Sequence, residues 1–245
     1  MIRKALIFSI ALVSCTSIFA QAKEHTTAKK EVATNKATTP SAPLPKEQLV
    51  EITTNFGVMV AKLYNATPLH RDNFIAKVKD GFYDSLLFHR VIRQFMIQGG
   101  DPHSKNAPDT VRLGDGEAPG EKIPAEFNPN FFHKKGALAA ARDGNPAKAS
   151  SNCQFYIVQG KPIDTAQIRT TGERIAKSGN ASFAYTKAQK EIYQRIGGTP
   201  QLDQNYTVFG EVISGLDVID KIASIYTKPG DRPMMNVWMK IKLLN

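Results

Sequence analysis

A mainly β fold follows from three features of this 245-residue sequence: an antiparallel sheet closed on itself, two flanking helices and an inserted helical hairpin. Eight short runs carry strand-type residues bounded by turn residues, two helix-like runs flank them, and the stretch between Lys161 and Gly198 switches to helical periodicity. So many short strands with so few helices argue against alternating βαβ units. An apolar fraction of 42% is enough for a core at this length.

The chain opens on a short basic stretch with Arg3 and Lys4, continues through a mostly apolar run over residues 5–20, and then offers small residues at Ala20 and Ala22. That is the three-part layout of a secretory signal, so residues 1–22 are expected to direct export. A membrane anchor needs about 20 apolar residues, and this run is shorter and broken by Ser9, Ser14, Thr16 and Ser17. Leu12-Val13-Ser14-Cys15 also has the order of a bacterial lipoprotein signal, so lipidation at Cys15, and with it attachment to a membrane, stays open beside ordinary cleavage. Residues 23–47 are rich in Lys, Thr, Ala and Pro. They bury too little apolar surface to offset the entropy of ordering, and a disordered linker is expected there. Cys15 and Cys153 are the only cysteines and one lies in the signal, so no disulfide is expected in the mature chain.

A folded domain is expected over residues 48–245. Residues 50–53 and 58–63 read as a hairpin about the turn Asn55-Phe56-Gly57. Thr67-Pro68 then supplies a cap and a proline at the first helical position; Phe74, Ile75 and Val78 form an apolar face, and Gly81 ends the run. Further strands are predicted over 86–92, 95–98, 137–141, 155–158, 207–212 and 237–243. A second helix fits 216–224, with Ser214 as its cap and Asp217 near capping-box spacing. In the insertion, residues 161–200, Asp164 and Gln167 have capping-box spacing, and Ala184, Ala188, Ile192 and Ile196 recur at i, i+4 up to Gly197-Gly198. That stripe is expected to pack on the protein's own sheet, with docking of a partner as the alternative.

The formal charge of +10 comes from lysines scattered along the chain, so no nucleic-acid partner is expected. No glycine-rich phosphate loop, G-x-S-x-G elbow, HExxH helix or Cys/His metal spacing occurs, and neither cofactor nor metal is expected. His25, His70, His89, His103 and His133 are isolated from one another, and Cys153 reads as a buried small residue more readily than as a nucleophile. What stands out is Phe88-His89-Arg90-Val91-Ile92-Arg93-Gln94-Phe95-Met96-Ile97-Gln98-Gly99-Gly100-Asp101. Strand alternation lets Arg90, Met96 and Gln98 share one face, which sets an arginine beside a Phe/Met pocket. In an ordinary β protein the same residues would be a solvated arginine and two core side chains.

This segment strongly resembles the F-H-R-[IV]-I-x-x-F-M-x-Q-G-G-D signature of the cyclophilin family of prolyl isomerases. The resemblance continues through Gly120-Glu121-Lys122, Asn130-Phe131, residues 136–141, Cys153-Gln154-Phe155-Tyr156-Ile157, Leu202-Asp203 and Val208-Phe209-Gly210-Glu211-Val212, covering residues 48–245 apart from the insertion. It implies a closed eight-stranded antiparallel barrel capped by two helices. It also implies peptidyl-prolyl cis-trans isomerase activity without a cofactor, with proline-containing unfolded or flexible polypeptides as partners of a monomer. On matching positions Arg90 falls on the family's catalytic arginine, and Phe95, Met96, Tyr156 and Leu202 fall on the walls of its proline pocket. Gln98, Ala141, Arg142, Gln154 and Tyr206 fall on positions that hold the substrate backbone, and His89 precedes the arginine as in the family.

Those roles agree with the chemistry. Amide resonance resists twisting with a barrier of about 18–20 kcal/mol, so a catalyst must stabilise the twisted amide. The prolyl nitrogen gains a lone pair as it twists, and a permanently charged guanidinium donating to it favours that state over the planar one. Departures from the family pattern are Gln201 where many members carry Trp, Tyr156 for Phe, Tyr206 for a frequent His, Arg93-Gln94 for Pro-Gly and Cys153 for Ser. Gln201 implies low cyclosporin sensitivity, and the tyrosines imply a pocket with added hydroxyls. The rival reading is a binding module that holds proline segments without turnover, which would not need Arg90. Export with a lysine-rich tail suggests the periplasm or cell envelope, where folding of secreted chains would use such an enzyme.

Overall fold

Alternation of apolar and polar residues makes the first hairpin. β1 (Leu49–Thr54) pairs antiparallel with β2 (Gly57–Leu63), and Val50, Ile52, Met59, Ala61 and Leu63 all turn into the core. The computed structural model describes residues 46–245 apart from Asp109. The expected signal, Cys15 and nearly all of the expected linker lie outside the described residues.

The remaining strands are β3 (Arg90–Ile92), β4 (Met96–Gly99), β5 (Ala137–Ala140), β6 (Phe155–Val158), β7 (Val208–Ser214) and β8 (Met239–Leu244). All eight form one antiparallel sheet in the order β3-β4-β6-β5-β7-β2-β1-β8. The sheet curls but keeps two ends, β3 and β8, where a closed barrel was expected. Near those ends lie an isolated bridge, Leu87↔Trp238, and backbone bonds from Ser85 and Phe88 to the carbonyls of Met239 and Val237. The strand expected over 86–92 is correspondingly cut to Arg90–Ile92. Leu86, Leu87, Phe88 and His89 are all buried, and of these Leu87 meets Trp238 through the isolated bridge alone, so the strand ladder begins at Arg90.

α1 (Pro68–Lys79) and α4 (Leu216–Ala223) lay Phe74, Val78, Val218, Ile219 and Ile222 against the core enclosed by the sheet. The expected cap of α1 is not made by Thr67, whose hydroxyl donates to the Tyr64 carbonyl at 3.3 Å. Instead the Glu126 carboxylate accepts from the N–H groups of Leu69 at 3.1 Å and His70 at 2.9 Å, a distant side chain serving the positive end of the helix. α4 is entered through Gly215 rather than capped by Ser214: φ is 84° there, and a Cβ would meet the Val58 carbonyl oxygen at 2.3 Å.

Two helices occupy the 161–200 stretch, α2 (Thr165–Lys177) and α3 (Lys187–Arg195). Asp164 caps α2 by accepting from the Gln167 N–H at 2.8 Å. They share a small core of Ile163, Ile168, Ile175, Phe183, Tyr185 and Tyr193. The expected Ala184, Ala188, Ile192, Ile196 stripe is not the buried face. Ala184, Ala188 and Ile196 are exposed, and burial falls one position along, on Tyr185, Gln189 and Tyr193. The tyrosines are larger than alanine and have buried partners for their hydroxyls, so the helix turns that side inward. Among the described residues no helix is long and apolar enough to cross a membrane.

Candidate active site

Strand register assembles the site. Arg90 on β3 lies opposite Gln98 on β4, Gln98 opposite Tyr156 on β6, and Tyr156 opposite Ala139 on β5, so four neighbouring strands present one row on the face away from the main core. The adjacent row, Ile92, Met96 and Val158, places the methionine beside it. Alternation sends Val91, Ile97, Phe155 and Ile157 the other way, into the core.

Arg90, Phe95, Met96, Gln98, Ala141, Arg142, Tyr156, Leu202 and Tyr206 together line a cavity of about 160 Å³. Met96, Ala141 and Tyr156 are buried, and Phe95, Leu202 and Tyr206 close the sides. Leu202 is carried by a short 3-10 turn, Pro200–Leu202, whose Gln201 carbonyl accepts from Arg174 of α2 at 3.0 Å. Arg142 reaches the Asn205 carbonyl with Nε at 2.8 Å and stacks over the Tyr206 ring at 4.6 Å, which ties the Tyr206 wall in place.

Two predicted residues do not line this cavity. Gln154 is buried behind it, where its amide donates to the carbonyls of Gly114 at 3.1 Å and Gly116 at 2.8 Å while its carbonyl accepts from Gln98 at 3.0 Å. His89 is buried on the far side of Arg90, in the wall of a neighbouring groove, and neither ring nitrogen has a partner among the described residues. Burial pushes its pKa down to about 4; the Arg90 and Arg232 guanidiniums act in the same direction and Asp101 opposes them.

Asp231 is the residue that sequence reasoning missed. Its carboxylate accepts from Arg90 Nε at 3.1 Å, its carbonyl accepts from the Val91 N–H at 2.8 Å, and it holds a left-handed φ of 64°. Arg90 Nη1 meets Gln98 Oε1 at 3.5 Å, which leaves Nη2 without a hydrogen-bond partner among the described residues. The guanidinium is thus gripped on two sides with one donor edge to spare. No local pattern signals this, because Asp231 lies 141 residues along the chain from Arg90.

The hydroxyl of Tyr156 is not offered to the cavity, contrary to the expectation of a pocket with added hydroxyls, since it lies 2.9 Å from His133 Nε2. Cys153 is buried, and burial pushes its thiol pKa up, so it remains a thiol. Asp101, His103 and Asp115 bring ligand-type atoms within 4.8 Å of one another. The Asp101 carboxylate there is already engaged by the N–H groups of His103, Gly114 and Gly116.

Comparison with known proteins gives this geometry a family. The model for the family "Cyclophilin type peptidyl-prolyl cis-trans isomerase/CLD" matches residues 49–242. A Staphylococcus aureus (strain USA300) protein assigned as a peptidyl-prolyl cis-trans isomerase is 36% identical over 185 residues, 75% of this chain and 85% of that one. A Staphylococcus saprophyticus protein with the same assignment is 34% identical over the same shares. Among solved structures, a Cryptosporidium parvum cyclophilin-type isomerase superposes with a TM-score of 0.58 at 24% identity, covering 81% of this chain and 98% of its own. The structure of that protein in the presence of the dipeptide Ala-Pro gives 0.59 at 23% identity, covering 81% and 99%. With four-fifths of the whole chain superposing on that fold and the family match spanning residues 49–242, this chain belongs to the cyclophilin-type peptidyl-prolyl cis-trans isomerases.

Proposed function

We propose that this protein isomerises X-Pro bonds of exported polypeptides at the cavity around Arg90, without a cofactor and as a monomer, and so assists their folding. The observation that carries the reading is a guanidinium held by Asp231 and Gln98 with Nη2 unused, at the rim of a cavity of about 160 Å³ that Phe95, Met96 and Leu202 help to line. The prolyl ring sits among Phe95, Met96, Tyr156 and Leu202, and Arg90 donates to the prolyl nitrogen as the amide twists. Gln98 and the backbone near Ala141 hold the flanking peptide, so rotation is confined to one bond in a partly desolvated site. Arg142 and Tyr206 close one side, Gln154 keeps Gln98 in place from behind, and His89 backs the arginine. The Ala-Pro dipeptide supplied to the Cryptosporidium parvum neighbour supports this substrate class.

The layout of residues 1–22 supports export to a cell envelope, with residues 23–47 as tether and lipidation of Cys15 as the membrane-bound variant. The test is a client whose slow refolding phase is limited by proline isomerisation, tens of seconds or longer at 25 °C. Catalytic amounts of the mature protein are expected to shorten that phase, and an unaltered phase would overturn folding assistance. Cells making the full chain are expected to hold it in the envelope fraction, beginning at Lys23 or at lipidated Cys15. Cytoplasmic protein with its first 22 residues intact would overturn export.

A further inference from the structure

Asp203 is where the helical insertion meets the proline pocket. It is 1% exposed and accepts four hydrogen bonds: Oδ1 takes the His133 N–H at 2.9 Å and His133 Nδ1 at 2.7 Å, and Oδ2 takes the hydroxyls of Tyr185 and Tyr193 at 2.6 Å each. Tyr193 lies on α3 and Tyr185 just ahead of it, whereas Asp203 directly follows Leu202 of the cavity wall. A carboxylate only accepts, so Nδ1 of His133 carries a proton, and in the neutral ring Nε2 presents a lone pair. In that tautomer the Tyr156 hydroxyl, 2.9 Å away, is the donor to Nε2. His133 and Tyr156 also lie nearly parallel, with ring centroids 6.0 Å apart and planes at 13°. The side-chain polar atoms of Asp203, His133, Tyr185, Tyr193 and Tyr156 are all engaged, and Tyr156 turns its ring to the cavity and its hydroxyl away.

We propose that the insertion sets the shape and polarity of the proline pocket through Tyr185 and Tyr193, Asp203, His133 and Tyr156. Asp203 and the two insertion tyrosines are then positioning residues for prolyl substrates. The inference rests on reading the Arg90 cavity as the site of isomerisation. Removing an insertion hydroxyl takes one donor from Oδ2, loosens Asp203 and His133, and frees the Tyr156 phenol to turn its hydroxyl toward the space the prolyl ring needs.

A double-mutant cycle of Tyr193→Phe and Tyr156→Phe, read as KM and kcat on an Ala-Pro peptide, tests this. Alone, Tyr193→Phe is expected to raise KM about fivefold and to change kcat by less than about twofold. In the Tyr156→Phe background there is no hydroxyl to restrain, so the same substitution is expected to leave KM unchanged while still lowering Tm. Equal rises in both backgrounds, or no rise in either, overturn the relay. Arg90→Ala is assayed alongside: if it retains turnover, isomerisation occurs elsewhere and both the site reading and the relay fall, whereas lost turnover with an additive cycle removes the relay alone. Should Tyr193→Phe not fold, the wild-type ¹⁵N spectrum of the His133 ring decides. The Nδ1–H tautomer is expected, with Nε2 shifting as an Ala-Pro peptide is added, and an Nε2–H tautomer or a resonance unmoved at saturation overturns the proposal.

Discussion

Arg90→Ala is expected to lower kcat/KM on an Ala-Pro peptide by about a hundredfold or more, the scale on which removing one preorganised donor acts at other sites. Most of the loss should fall in kcat, because the guanidinium bonds to a prolyl nitrogen that becomes an acceptor only as the amide twists. Arg90→Lys is expected to recover little. Nε on Asp231 and Nη1 on Gln98 use the planar fork as a unit, and an ammonium cannot keep both while leaving a further donor aimed at the cavity. A steady-state assay with Tm measured beside it separates this from misfolding. An unchanged kcat in folded Arg90→Ala would move the chemistry away from this residue.

The second large effect is on stability in acid. The folded-state pKa of His89 lies at about 4, below its ordinary value of 6.5, because burial disfavours the imidazolium. A group with a depressed folded pKa contributes stability that is fully present above the unfolded value and is lost as pH falls toward the folded one. Between about pH 6.5 and 4 the unfolded chain takes up a proton that the folded chain resists, and stability should fall by about 3 kcal/mol from this residue. His70 adds in the same direction: burial lowers its pKa despite the opposing Glu126 carboxylate 2.6 Å away. Urea unfolding at stepped pH measures the slope. His89→Phe, which keeps an aromatic ring where neither nitrogen has a partner, is expected to flatten it by about that amount, and an unchanged slope would show that His89 charges freely in the folded state.

The strands were legible because a two-residue period needs no knowledge of partners: the expected run at 155–158 coincides with β6, that at 58–63 differs from β2 by one residue at its start, and that at 95–98 is shifted by one residue from β4. Period two also put Arg90, Met96 and Gln98 on one face before any register was known. What could not be read were choices settled by distant groups. Thr67 has the right chemistry for a cap, but Glu126, 57 residues from Leu69, serves the helix. The i, i+4 stripe of α3 could be drawn through Ala and Ile or through Tyr185, Gln189 and Tyr193, and Asp203, with its two acceptor positions for phenols, decides between them. Asp231 belongs to the same class, and so does the hydroxyl of Tyr156, which looked like an addition to the pocket until His133 was found behind it.

The most direct test is the structure of the mature protein with a bound Ala-Pro peptide. The prolyl ring is expected among Phe95, Met96, Tyr156 and Leu202, with a nitrogen of Arg90 within hydrogen-bond reach of the prolyl nitrogen and Asp231 still on Nε. A proline bound elsewhere, for example in the groove walled by His89 and Arg112, or one seated in the cavity with Arg90 turned away, would contradict it.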